Sequence, residues 1–130
     1  MIRYDFKIPL YYVDVTLIQV EGKEDADSVE AILKSVKTER EWIDYTIGGI
    51  KRGCMNGGDT YRNEDLKRFV VIFYYMSNER NRSNCYSHEK RHIEDRVMEW
   101  NSVNDIESAG LLAGFLGEKF DEFKMKIKNK

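Results

Sequence analysis

The chain has 130 residues, 42% apolar and 34% charged, with a formal net charge of -2. That is the size and balance of one compact soluble domain over 1–130, whose elements read as α+β, and it gives no global electrostatic reason to bind nucleic acid, which would need a strong basic excess. The apolar run Ile8–Val20, broken by Asp14 and Gln19, is too short to cross a bilayer and lacks signal-peptide flanks. Cys54 and Cys85 match neither a zinc-ribbon spacing nor a disulfide framework, so a reducing, cytoplasmic setting is expected.

In chain order, Leu10–Val20 is dense in β-branched and aromatic residues and reads as a largely buried strand ended by Gly22. Asp27 and Glu30 have capping-box spacing, and Val29, Ile32, Leu33 and Val36 recur at helical spacing, which predicts a helix from about Ser28 to Glu41. Glycines punctuate Trp42–Tyr61, which reads as one or two short strands with turns. Phe69–Met76 is a second strong strand, and Ser77–Asn84 a polar loop. The pairs Tyr11-Tyr12 and Tyr74-Tyr75 are expected in sheet and core packing, and Lys51, Arg52, Arg80 and Arg82 in solvent.

A helix from Asn84 or Cys85 to Trp100 would bury Ile93, Val97 and Trp100, with a break at Asn101–Asn104. The last helix starts near Asp105, its apolar stripe running through Leu112, Leu116, Phe120, Phe123 and Ile127. Gly110, Gly114 and Gly117 within it each cost roughly 1 kcal/mol against alanine, which predicts a close neighbour there. The expected organisation is therefore a mixed sheet with a first helix over 1–80, then two helices over 81–130.

The chemistry concentrates in His88-Glu89-Lys90-Arg91-His92, which holds the only two histidines of the chain. Residues four apart share a helical face, so both imidazoles can reach one ion, with Glu89 beside it as a general base. A catalytic zinc ion takes three protein ligands. Glu107, in the first turn of the next helix, is the favoured third, since an antiparallel pair could return it toward the histidines. Asp95 and Glu99 move along the axis away from His88, and Asp105 reads as a cap. Cys85, His88 and His92 also share a face and would suit a closed structural site, with Cys54 needed as fourth ligand.

His88-Glu89-Lys90-Arg91-His92, followed by Asn104-Asp105-Ile106-Glu107-Ser108-Ala109 and then Leu112, Gly114 and Phe115, resembles the gluzincin pattern. More narrowly, it is similar to small zincin-like peptidases encoded by bacteria, phages and mobile elements. The resemblance is specific over roughly residues 85–120. It implies a small zincin-like fold and a zinc metallopeptidase or amidase, with His88, His92 and Glu107 on Zn²⁺ and Glu89 as base. It also implies a peptide or protein substrate aligned on an edge strand, with the water activated by zinc. The stretch between His92 and Glu107 is short for a gluzincin. A non-catalytic interaction protein keeping the same scaffold is the alternative.

Overall fold

The structure, a computed structural model, describes residues 1–75 and 79–130. It is α+β: a four-stranded mixed sheet between two helical layers. The strands are β1 (Ile2–Ile8), β2 (Val13–Gln19), β3 (Gly58–Asn63) and β4 (Arg68–Phe73), in the order β1-β2-β4-β3. β2 and β4 run parallel in the centre, and β1 and β3 are antiparallel edges.

β4 is buried on both sides, which is why it reads as a continuous apolar run rather than an alternating one. Phe69, Val71 and Phe73 join Val13, Val15 and Leu17 under α3 (Glu79–Trp100) and α4 (Ile106–Lys128), where Ile93, Val97, Leu116 and Phe123 complete the layer. Val70, Ile72 and Tyr74 join Ile18 and Val20 under α1 (Ala26–Ser35) and α2 (Arg40–Arg52), against Val29, Leu33, Ile43 and Ile47. No helix of the described residues is long and apolar enough to cross a membrane.

Several expectations are corrected. The strand read over Leu10–Val20 is a hairpin: Pro9–Tyr12 form its turn, with Leu10 and Tyr12 at positive φ, and Ile2–Ile8 is its unforeseen first strand. The helix expected over Ser28–Glu41 begins at Ala26 and stops at Ser35, so Asp27 lies inside its first turn and is not its cap. Of Trp42–Tyr61, the part up to Arg52 is the second helix α2 and not extended chain, while one expected short strand is present as the start of β3 at Gly58. Gly49 inside α2 is a packing device, since a Cβ there would lie 2.3 Å from Met55 Cγ. Gly53 then ends the helix in the left-handed conformation, φ 68°, its N–H reaching the carbonyls of Gly49 and Ile50.

The strand expected over Phe69–Met76 is Arg68–Phe73, and the loop expected over Ser77–Asn84 is helical from Glu79 onward; Met76, Ser77 and Asn78 lie outside the described residues. Asp105 caps α4 as read, its carboxylate accepting from the Ser108 N–H at 2.8 Å. That bond holds the Asp105 carboxyl below its usual pKa. Gly110, Gly114 and Gly117, however, meet nothing within 4 Å, so no close neighbour accounts for them. Tyr74 is buried and Tyr11 half-buried as expected, but Tyr12 and Tyr75 are each 75% exposed.

Candidate metal centre

α3 crosses the face of the edge strand β3. Residues of α3 that point at the sheet are Tyr86, Glu89, Ile93 and Val97, all buried. His88 and His92 sit one step around the helix and are exposed. Their Nε2 atoms lie 3.0 Å apart, with the rings near perpendicular at 87°. The Glu89 carboxylate completes a group whose ligand atoms all fall within 4.8 Å of one another.

Glu89 is only 4% exposed. A buried carboxylate needs a donor, and the Thr60 hydroxyl of β3 supplies it. Thr60 faces α3 because side chains alternate along β3: Gly58 and Thr60 point to this layer, while Asp59 and Tyr61 point to the other, bonding Tyr74 and Thr46. Gly58 is what lets the helix approach. A Cβ there would stand 2.9 Å from Cys85 Sγ, 3.1 Å from Phe73 Cδ1 and 3.2 Å from Glu89 Cγ.

The surroundings are strongly desolvated on the sheet side. Burial, then the charges of Glu89 and Asp59, push the Cys85 thiol up to about 11, so it stays protonated at neutral pH. Burial, followed by the Asp59 charge, raises Tyr74 far above its usual value; its hydroxyl donates to Asp59 at 2.9 Å. Lys90 and Arg91 are engaged along α3 by Glu94 at 2.6 Å and Asp95 at 3.1 Å, which leaves the histidine face clear of their charges.

The structure thus brings together His88, Glu89 and His92 from among the residues singled out in the sequence. Glu107 is exposed in the first turn of α4 and stands outside that group. The connectivity gives the reason: His92 precedes the end of α3 by roughly 12 Å of helix at 1.5 Å per residue, and Glu107 follows immediately after the turn. Cys85, Asp105 and Glu99 are likewise outside it. Thr60 is the neighbour of this group that the sequence did not disclose, since its position depends on which way β3 faces. No family model matches the chain, and neither a curated protein nor a solved structure matches it.

β3 adds one more element. Tyr74 N–H bonds Gly57 O at 2.9 Å, which makes the pair 57/74 a hydrogen-bonded one in the antiparallel ladder. By alternation, Gly58, Thr60 and Arg62 turn their N–H and C=O groups away from β4, toward the open edge.

Proposed function

We propose that the protein is a metal-dependent hydrolase of peptide or amide bonds, with zinc as its ion. The observation that carries this reading is the 3.0 Å separation of the His88 and His92 Nε2 atoms with the Glu89 carboxylate beside them. Two imidazole nitrogens on one tetrahedral zinc ion are separated by about 3.3 Å, so the pair fits with a shift of a few tenths of an ångström. When bound, the ion supplies a water of lowered pKa and a Lewis-acid position.

The chain's own groups do the rest. His88 and His92 hold the ion; Glu107, the third ligand that the gluzincin resemblance implies, stands outside their group in this structure, so its part in the site is what Glu107→Ala tests. Glu89 takes the proton of the attacking water and passes it to the leaving amine. The Thr60 hydroxyl fixes the Glu89 carboxylate in one orientation, so the base does not have to be reoriented during reaction. The open backbone groups of Gly58, Thr60 and Arg62 pair with an extended peptide, which suits a peptide substrate. The order of elements also supports a minimal zincin arrangement, with an antiparallel edge strand and a central strand preceding the histidine helix.

A second reading, a non-catalytic interaction protein on the same scaffold, draws on exposed apolar residues: Leu10 and Leu111, 85% and 73% exposed, line one cleft between the β1–β2 turn and α4. Metal analysis of the purified protein separates the two. About one zinc per chain is expected in the wild type and in Glu89→Gln, with loss in His88→Ala and His92→Ala; loss in Glu107→Ala as well would bring Glu107 into the ligand set. A wild type that remains empty after refilling with zinc sinks the hydrolase. Retention in Glu107→Ala alone removes Glu107 from the ligand set and leaves the rest standing.

A further inference from the structure

At the end of the sheet where the parallel strands β2 and β4 finish, a cavity of about 550 Å³ opens between the start of α3 and the end of α4. Its floor is fixed: the Gln19 side-chain amide donates to the carbonyls of Val20 and Phe73, at 3.1 and 3.3 Å, tying the two strand ends together. Its charged lining is Arg82, Lys124, Lys128 and Glu21. Glu21 is already neutralised by the N-terminal amine at 2.6 Å and by Lys130. Among the described residues neither Arg82 nor Lys128 has a carboxylate partner, and Lys124 has only Asp121 at 3.7 Å.

Three cations thus converge on one cavity in a chain whose net charge is -2. Helix stability accounts for Lys128, in the last turn of α4, where the macrodipole favours positive charge, and Lys124, one turn earlier, lies over the Tyr86 ring. Helix stability does not account for Arg82. Arg82 lies in the first turn of α3, the end at which the dipole disfavours a cation. An arginine and two lysines lining the same space are mutually repulsive until an anion enters. At the rim, Tyr75 presents a ring that is 75% exposed, whereas the Tyr86 ring is already covered by Lys124 Nζ at 5.1 Å.

We propose that this cavity is a binding site for a phosphorylated small molecule with a flat ring, of the mononucleotide class, its phosphate on Arg82, Lys124 and Lys128 and its ring on Tyr75. The volume lies within the ordinary range of small-molecule sites, about 300–1,000 Å³. Arginine offers the paired N–H donors that a phosphate accepts, and the lysines add charge. The site shares no residue with the His88, Glu89 and His92 group.

The test is an amide-shift titration of the metal-free chain, in EDTA, with AMP, with inorganic phosphate and with adenosine. AMP is expected to give saturable shifts at residues 19–21, 82–86 and 124–128, weakened by added salt. Arg82→Ala and Lys128→Ala, both at exposed positions, should each weaken AMP by roughly tenfold while the remaining spectrum stays folded. Tyr75→Ala should weaken AMP but leave phosphate unchanged. No saturable shift with AMP, or shifts that persist unaltered in Arg82→Ala and Lys128→Ala, overturns the site. Equal affinity for AMP and phosphate, with no response to Tyr75→Ala, overturns the ring's part in it. Because metal is withheld, none of these results depends on the hydrolase reading.

Discussion

The Thr60 hydroxyl of the edge strand donates to the buried Glu89 carboxylate of the histidine helix, joining sheet and candidate base in a single contact. Removing the donor strands a buried acceptor. Thr60→Val should therefore cost about 1–3 kcal/mol of stability, and Thr60→Ser much less. If the chain hydrolyses amides, Thr60→Val also lowers kcat with little change in KM, since Glu89 loses its fixed orientation. Chemical denaturation of the three proteins decides the first part; equal midpoints would mean that Glu89 finds its partner elsewhere.

Ion binding should be visible as stability. A ligand that binds only the folded chain stabilises it by about 2.7 kcal/mol at a hundredfold excess over its Kd. Zinc should then raise the Tm of the wild type and of Glu89→Gln, and leave His88→Ala and His92→Ala where they were. An equal rise in all four would place the metal on some other group.

Gly58 sets how closely α3 approaches β3. Gly58→Ala drives a methyl against Cys85 Sγ, Phe73 and Glu89, and overpacking of this kind costs about 1–3 kcal/mol. The Cys85→Ala background should recover part of that loss, because it removes the nearest obstacle. A double-mutant cycle with no coupling between the two positions would contradict the contact.

The three glycines of α4 make the opposite prediction. Nothing stands within 4 Å of Gly110, Gly114 or Gly117, so a methyl fits and the helix gains propensity. Each glycine-to-alanine change should stabilise by about 0.5–1 kcal/mol, read as a rise in the denaturation midpoint. Destabilisation at any of them would show a covered face.

Tyr74 supplies a pH dependence. Its folded pKa is raised by burial and by Asp59, above an unfolded value near 10. The stability it contributes is fully present below about pH 10 and is lost as pH climbs from there toward the folded value. Unfolding free energy measured from pH 9 to 11 should fall for the wild type. Tyr74→Phe should start lower, having left Asp59 without its donor, yet show a shallower fall. Parallel curves would assign the alkaline loss to other groups.

The contrast between α2 and α4 explains how much of the fold the sequence disclosed. β4 and α4 were legible because one is a continuous apolar run and the other has an aspartate cap followed by a clean apolar stripe. α2 was not, because Gly48 and Gly49 look like turn residues, whereas Gly49 makes room for Met55. In α4 the glycines suggested a tight contact and face open space instead. Glycine identity reports permission for close approach, and the neighbour decides whether it is used. At the candidate site the helical repeat alone sufficed to place His88, Glu89 and His92 together. Thr60 carries no local signal, and Glu107 depended on the depth at which two helices overlap, which spacing along the chain does not encode.

β3 presents Thr60 to α3 through the register Thr60↔Val71, and that register is held by the short turn 64–67, where Lys67 has φ 53° and its N–H bonds the Glu64 carbonyl at 3.1 Å. A strand has only two sides. Lengthening that turn by one residue so that the strand slips a single step would offer Asp59 or Tyr61 to the helix in place of Thr60, setting a second carboxylate or a bulky ring against Glu89. The distance in sequence from turn to histidines is long, yet the turn works as a reading frame for the site: changes of its length by one are ruled out, while its surface composition is free to drift.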